Sequence, residues 1–196
     1  MTPAGGRAIC PPMKSSEADI VFVPGYKGSG PDHWQTRWER KLSTARRAAM
    51  GDWHKPVFEE WRDNLLAEVE RARQPVVLVG HSVGSQVIVN AADRFAGRVA
   101  GAFLVAPPDV ENAQIRPRHL MTFGPFRRDP LPFPSVTVAS RNDPFCAFAT
   151  AEAMAAAWGS LFIDAGASGH LNHESGHGPW PEGLLVFARF LARLAK

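Results

Sequence analysis

Short apolar segments alternate along this chain with segments in which apolar residues recur at helical spacing. Runs of β-branched and other apolar residues predict buried strands, and apolar positions three and four residues apart predict helices. Strands are predicted at 19–24, 45–50, 76–80, 101–106, 135–140 and 161–165, of which 45–50 has the weakest pattern. Helices are predicted at 31–43, 57–73, 84–95, 147–158 and 180–194. This alternation predicts an α/β fold with about six parallel strands and helices on both faces of the sheet.

Two segments fall outside the alternation. Residues 1–17 are rich in Pro, Gly and Ser and are expected to form a loose leader, so a single domain is expected to span 18–196. Residues 107–134 contain seven prolines and show little periodicity. Long irregular connections inside a compact domain are usually functional. We therefore expect 107–134 to form a minimal cap over a substrate cleft, and the alternative is a surface excursion that packs its own aromatic residues.

Composition places the chain among ordinary soluble globular proteins. Of its 196 residues, 45% are hydrophobic and 21% are charged, which is enough apolar material for one well-buried core. The net charge of +3 comes from scattered basic residues without a nucleic-acid-binding motif, so nucleic acid is not an expected partner. No stretch has the length of a membrane span or a signal-peptide core, so we expect a cytoplasmic protein that does not bind membranes. The two cysteines, Cys10 and Cys146, do not suggest a disulfide framework.

The candidate chemistry begins where the predicted strand at 76–80 ends. Gly-His-Ser-Val-Gly at 80–84 has the Gly-x-Ser-x-Gly spacing, and a helix is predicted to follow directly. A strand, this motif and a helix in succession predict a nucleophile elbow, a sharp turn that exposes the serine hydroxyl at the end of the sheet. The flanking glycines allow neighbouring backbone to approach closely. Ser82 is therefore the candidate nucleophile.

A serine nucleophile needs a base that accepts its proton and an acid that orients the base, and in this architecture both follow the serine in the chain. Asp143 comes just past the predicted strand at 135–140, and Pro144 restricts the turn beside it. Asp109 follows the strand at 101–106 and is the alternative. Asp143 is the preferred acid, although a turn or helix N-cap residue would also fit its position.

Three histidines follow the last predicted strand and are candidates for the base. His170 lies on the glycine-rich loop before the final helix, closest to the strand end, and His173 and His177 are the alternatives. The same three histidines are spaced at three and four residues, which would suit a metal-dependent hydrolase if the segment were helical. Glycines and a proline within 176–179 disfavour a helix there. His170 is therefore preferred as the base, and no metal site is expected.

Two backbone N–H groups are expected to stabilise the negative charge that develops on a substrate carbonyl. One belongs to Val83, the residue after the nucleophile, and the other to Tyr26, on the loop after the first strand. Ligands of such sheets bind outside the carboxyl ends of the strands. Trp34 is expected to line the substrate pocket because it follows this loop, and Phe123 and Phe126 because they belong to the expected cap.

Further motifs lie between residues 23 and 183. They are Val-Pro-Gly-Tyr at 23–26, Asp-His-Trp at 32–34, Gly-His-Ser-Val-Gly at 80–84, Asn-Asp-Pro-Phe at 142–145, Trp-Gly-Ser at 158–160, Gly-His-Leu-Asn at 169–172 and Ser-Gly-His-Gly-Pro-Trp-Pro-Glu-Gly at 175–183. In these motifs the chain resembles the small serine hydrolases of the α/β-hydrolase superfamily, in the YdeN and retinoblastoma-binding protein nine group. The resemblance implies a compact α/β-hydrolase fold and a triad of Ser82, Asp143 and His170. It also implies esterase-like activity on small acyl substrates without a metal or organic cofactor.

The leading functional hypothesis is a carboxylesterase-like serine hydrolase. It would cleave a small-molecule ester, thioester or activated amide through an acyl-enzyme formed on the Ser-His-Asp triad. The alternative is a protein-binding module that keeps the hydrolase scaffold with little turnover, which would imply a protein partner. A metal hydrolase is the third hypothesis and the one that the sequence favours least. The sequence gives no indication of the oligomeric state.

Overall fold

A parallel β-sheet of six strands runs through the computed structural model, which describes residues 13–95, 97–115 and 118–194. The strands are β1 (Asp19–Val23), β2 (Ala45–Arg47), β3 (Val76–His81), β4 (Val99–Val105), β5 (Ser135–Ala139) and β6 (Leu161–Asp164). Their order across the sheet is β2-β1-β3-β4-β5-β6, and every neighbouring pair is parallel. All of the predicted strands are confirmed, including the weak one near residue 45.

Five α-helices are present in the described residues. They are α1 (Trp34–Glu39), α2 (Phe58–Glu70), α3 (Val83–Asn90), α4 (Phe148–Ala157) and α5 (Pro181–Leu191). Each predicted helix is confirmed, although each is shorter than its sequence pattern indicated. α1 begins only at Trp34 because His33 caps it, the His33 Nδ1 accepting a hydrogen bond from the Gln35 N–H at 3.2 Å. Over the same described ranges, no helix combines the length and apolarity that crossing a bilayer requires.

Helices cover both faces of the sheet, as the sequence predicts. On one face, α2, α3 and α4 bury apolar side chains such as Trp61, Val87 and Met154. On the other face, α1 and α5 bury Trp38 and Phe187. Successive strand residues point to opposite faces, so a strand that is covered on both sides must be apolar almost throughout. β3 is buried along its whole length. Side chains that could react with a ligand are therefore expected in the loops at its ends.

The direction in which the strands are added reverses between β1 and β3. From β1 the chain continues to β2 on one side of the sheet, and from β3 it continues to β4 on the other side. A crevice forms outside the carboxyl ends of the strands at such a point. The loop after β1 and the turn after β3 border this crevice, and Ser82 lies in that turn.

The proline-rich segment, described over 107–115 and 118–134, combines the two roles expected for it. Phe123 is completely buried in the core, as expected for a segment that packs its own aromatic residues. Pro108 and Leu120 line the crevice, as expected for a cap. The segment is therefore a minimal cap that is anchored to the core by its own apolar side chains.

The expected leader is described only in part. Residues 1–12 lie outside the described residues. Residues 13–17 pack on the domain, where Met13 is 3% exposed and its N–H donates to the carbonyl O of Leu194 at 3.4 Å. Met13, which the sequence assigned to a loose leader, therefore packs on the domain, because burial removes its apolar side chain from water.

Gly84 is expected to tolerate no larger residue. A Cβ at this position would lie 2.6 Å from the Pro24 carbonyl O, because the first turn of α3 packs on the backbone that follows β1. We expect Gly84→Ala to lower the free energy of unfolding by about 1–3 kcal/mol, as overpacking does, measured by chemical denaturation. The matched control is Gly30→Ala, because a Cβ on Gly30 meets nothing within 4 Å. Equal destabilisation by the two substitutions would contradict the close approach.

Candidate active site

A cavity of about 480 Å³ opens at the carboxyl ends of the strands. Its walls come from the loops that follow β1, β3, β4, β5 and β6. Ser82 and His170 both line it, so the structure brings the candidate nucleophile and the candidate base to one site. The apolar part of its lining includes Tyr26, Pro31, Pro108, Val110, Ile115, Leu120 and Phe145.

Ser82 occupies a strained turn between β3 and α3. Its backbone has φ 55 and ψ −131, a region that residues other than glycine rarely adopt. The Ser82 N–H donates to the carbonyl O of Val105 at 2.9 Å, which holds the turn against β4. Gly25 lies against the serine, because a Cβ at Gly25 would be 2.7 Å from the Ser82 Cβ and 3.2 Å from its Oγ. This geometry is that of a nucleophile elbow.

His170 and Asp143 form a hydrogen-bonded pair beside this turn. The Nδ1 atom of His170 lies 3.0 Å from Oδ1 and 2.9 Å from Oδ2 of Asp143. The two side chains are 9% and 3% exposed, so the pair is shielded from water. Because an ionised carboxylate can only accept, this contact favours the tautomer of a neutral His170 ring in which Nδ1 carries the proton and Nε2 has the lone pair. His170 is thus in the tautomer that a general base requires.

The alternative residues occupy other positions. Oδ1 of Asp109 accepts hydrogen bonds from the N–H groups of Glu111 and Asn112, so this carboxylate caps a turn. His173 is exposed in the lining of the cavity, and the Nδ1 of His177 lies 3.3 Å from the Ser175 hydroxyl. Within the described ranges, no group of three or more His, Cys, Asp or Glu side chains is arranged to hold a metal ion.

The Ser82 hydroxyl and the His170 ring face the same cavity. Among the described residues, no hydrogen bond joins these two side chains. Catalytic hydrogen bonds are often long or poorly aligned before substrate binds, and they tighten in the complex. The arrangement can therefore transfer a proton from Ser82 to His170 once a substrate fills the cavity and the two groups approach.

Tyr26 and Val83 are each one residue removed from the Gly25–Ser82 contact. Val83 is the first residue of α3, and the N–H groups of the first helical turn have no acceptor within the helix. Tyr26 follows Gly25, whose backbone touches the serine, and it lines the cavity. These positions are compatible with a pair of donors for an oxyanion next to Ser82.

The three residues predicted to line the substrate pocket do not line this cavity. Trp34 is completely buried, because the first turn of α1 points its indole into the aromatic core beside Trp38, at 4.7 Å between ring centroids. Phe123 is buried against Trp61 at 5.5 Å. Phe126 is half-buried beneath the Arg128 guanidinium. The three side chains pack against other residues and are absent from the lining of this cavity.

Two histidines that the sequence analysis missed also line the cavity, His33 and His81. Each is 5% exposed, and the His81 ring stands between the other two rings, 4.8 Å from His33 and 5.0 Å from His170. Burial, together with the nearby Arg47 charge, lowers the pKa of His33 to about 3. Burial also lowers the pKa of His81 well below its usual range. Both rings are neutral at neutral pH, so neither repels an imidazolium that forms on His170. The sequence feature that could have indicated a role for His81 is its position directly before Ser82.

Cys146 lies near the candidate acid but is not a nucleophile. It is buried and free, and burial together with the charges of Asp143 and Asp109 raises the pKa of its thiol to about 12. The thiolate is the reactive form of cysteine, and it is scarce at neutral pH when the pKa is this high. The other cysteine, Cys10, lies outside the described residues.

The fold and the cavity define an α/β hydrolase with a serine in the sharp turn after its third strand. A model of the serine hydrolase family matches residues 20–189, and the chain belongs to this family. No curated protein is similar enough to the chain to count as a match.

Solved structures agree with this assignment. A crystal structure named for a YdeN-like hydrolase from Pectobacterium atrosepticum is 34% identical, with a TM-score of 0.83 over 93% of this chain and 95% of that chain. The ydeN gene product of B. subtilis is 18% identical, with a TM-score of 0.75 over 90% of this chain and 100% of that chain. The type II thioesterase BorB of the borrelidin biosynthetic cluster is 16% identical, with a TM-score of 0.63 over 94% of this chain and 95% of that chain. The last two show the fold alone.

The buried histidines are expected to make stability depend on pH. A histidine in the unfolded chain has a pKa of about 6.5, whereas that of folded His33 is about 3. The unfolded state therefore binds more protons between these values, and the free energy of unfolding falls as the pH falls below about 6.5. His33 should account for a loss of about 1 kcal/mol between about pH 6.5 and 5.5, and His81 acts in the same direction.

Chemical denaturation across this pH range measures the effect. His33→Gln should show a shallower pH dependence than the wild-type protein, because one buried titrating ring has been removed. The exposed His54 provides the matched control, and His54→Gln should keep the wild-type slope. A wild-type slope in His33→Gln would contradict a neutral, buried His33.

Proposed function

We propose that this protein is a carboxylesterase-like serine hydrolase that cleaves small ester, thioester or activated amide substrates through an acyl-enzyme. The observation that carries the proposal is that His170, hydrogen-bonded to the buried Asp143 side chain, shares a cavity with Ser82 in its strained turn. Membership of the serine hydrolase family supports the reaction class. The proposed chemistry uses side chains and backbone N–H groups of this chain and requires no cofactor.

Acylation begins with proton transfer from Ser82 to His170. The Nε2 lone pair of His170 accepts the hydroxyl proton as Oγ bonds to the substrate carbonyl carbon. The Asp143 carboxylate stabilises the imidazolium, and the N–H groups of Tyr26 and Val83 bind the oxyanion. The tetrahedral intermediate then expels the leaving group, which takes the proton from His170. The acyl group remains on Ser82 as an ester.

Deacylation repeats these steps with water as the nucleophile. His170 accepts a proton from the water as its oxygen attacks the acyl carbon. The second tetrahedral intermediate releases the carboxylic acid, and the proton on His170 returns to the Ser82 oxygen. The enzyme is regenerated, and one water is consumed for each bond cleaved.

The lining of the cavity suggests where each part of the substrate binds. The cap and the loop after β5 supply apolar residues such as Leu120 and Phe145, which suit an acyl chain. The lining residues that follow Leu171, after the base, are polar: Asn172, His173 and Glu174. Because His170 protonates the leaving group, a polar leaving group is expected beside this stretch. The proposed substrate therefore joins a small apolar acyl group to a polar alcohol, thiol or amine.

Ser82→Ala is expected to lower kcat on p-nitrophenyl acetate by on the order of 10⁴-fold or more, because the nucleophile is lost. It should also abolish labelling by a fluorophosphonate probe. The control is Ser85→Ala, which removes a buried hydroxyl in the first turn of α3 and should leave the protein labelled. A folded wild-type protein that neither hydrolyses the ester nor takes the label would contradict the proposal and favour the protein-binding module.

The two candidate acids provide a second comparison. Asp143→Asn is expected to lower kcat by on the order of 10⁴-fold, because the amide would favour the wrong tautomer of His170. Asp109→Asn changes a residue that lines the cavity but whose carboxylate bonds to the backbone of its own turn, and it should retain kcat within a factor of a few. Ester hydrolysis at saturating substrate measures both variants. A larger loss of kcat in Asp109→Asn than in Asp143→Asn would contradict the assignment and would make Asp109, on the loop after β4, the acid.

A further inference from the structure

The loop that carries His170 has no regular structure of its own. It connects β6 to the 3-10 turn at His173–Ser175, and its backbone is unusual on both sides of the base. Gly169 has φ 56 and Leu171 has φ 49. A left-handed residue other than glycine is strained and persists only when its surroundings hold it. Something outside the loop must therefore fix this conformation.

Two buried side chains donate to consecutive carbonyl groups of this loop. The indole Nε1–H of Trp34 donates to the carbonyl O of Leu171 at 2.9 Å. Nε2 of His81 lies 3.0 Å from the carbonyl O of His170, and because a carbonyl can only accept, this nitrogen carries the proton. Trp34 is completely buried and His81 is 5% exposed. Water therefore has little access to replace either side chain as the hydrogen-bond donor to the loop.

The amide groups just before the base are held from the opposite side. The Gly169 N–H donates to Oδ1 of Asn142 at 2.7 Å, and the Ser168 N–H donates to Oγ of Ser140 at 2.8 Å. These acceptors belong to the loop that carries Asp143. The four residues 168–171 are thus each bonded to a side chain from another part of the chain.

We propose that Trp34 and His81 are positioning residues that set the place of the base relative to the nucleophile. His81 immediately precedes Ser82, so its hydrogen bond joins the nucleophile turn directly to the backbone of His170. Trp34 packs in the aromatic core, with its ring 5.0 Å from that of Trp180. This inference rests on the proposed function for its catalytic consequence and on the hydrogen bonds alone for its structural part.

Losing either donor should lower kcat rather than raise KM. Neither bond touches the substrate, and a misplacement of about 1 Å between reacting groups can cost about 100-fold in rate. We expect Trp34→Phe and His81→Leu to lower kcat on p-nitrophenyl acetate by about 10- to 100-fold. KM should change by no more than a factor of two or so, because the cavity lining is otherwise retained.

Matched variants separate positioning from simple loss of packing. Trp38→Phe removes an equally buried indole from the same aromatic cluster, but that indole donates to the Pro179 carbonyl O rather than to the base loop. It should keep kcat within a factor of a few even where it lowers Tm as much as Trp34→Phe does. His81→Gln places an N–H donor at a similar distance from the backbone, and it should recover much of the kcat that His81→Leu loses.

Hydrogen–deuterium exchange of the peptide containing 168–171 tests the hydrogen bonds without relying on turnover. Exchange should be faster in Trp34→Phe and His81→Leu than in the wild-type protein, and unchanged in Trp38→Phe. Unchanged exchange in the first two variants would overturn the proposal, even if the wild-type protein proved to be inactive. Equal kcat losses in Trp34→Phe and Trp38→Phe, or no recovery in His81→Gln, would also overturn it. An inactive wild-type protein whose loop loosens as expected would refute the proposed function alone.

Discussion

The strained backbone at Ser82 is the constraint on which the rest of the structure depends. A serine at φ 55 and ψ −131 is costly and must be held from several sides. β3 delivers it from a completely buried strand, and α3 begins at the next residue. The backbone after β1 packs against both, and it can do so only because Gly25 and Gly84 have no side chain there. The packing of strand, helix and loop therefore supports one hydroxyl that faces the cavity.

The candidate site is assembled from loops that have little regular secondary structure. Hydrogen bonds between these loops hold their conformation instead. Asn142 precedes Asp143 and accepts from the backbone just before His170. His81 precedes Ser82 and bonds to the backbone of His170 itself. The neighbours of the acid and of the nucleophile thus both hold the base. This explains physically why residues beside the reacting groups, and not only the reacting groups, belong to the site.

Much of the fold was predictable because its signals are local. Apolar runs and helical periodicity indicated every strand and helix, and the motif around Ser82 indicated the sharp turn. The place of Asp143 after a strand predicted that it would lie near the other candidate residues, since the carboxyl ends of parallel strands meet at one edge of the sheet, and its hydrogen bond to His170 agrees with this. The pocket was not predictable in this way. Whether Trp34 faces the core or the cavity depends on how α1 docks, which its sequence alone does not determine. The buried contact between His33 and His81 joins segments that are far apart in the chain, so no local pattern revealed it.

The most direct test of the account is to trap the acyl-enzyme. Wild-type protein mixed with p-nitrophenyl acetate and quenched in acid should gain the mass of one acetyl group. Peptide mass spectrometry should place that group on Ser82, and the adduct should be lost on further incubation as water deacylates the enzyme. An adduct on another residue, or none while the ester is being hydrolysed, would contradict a mechanism in which Ser82 is the nucleophile.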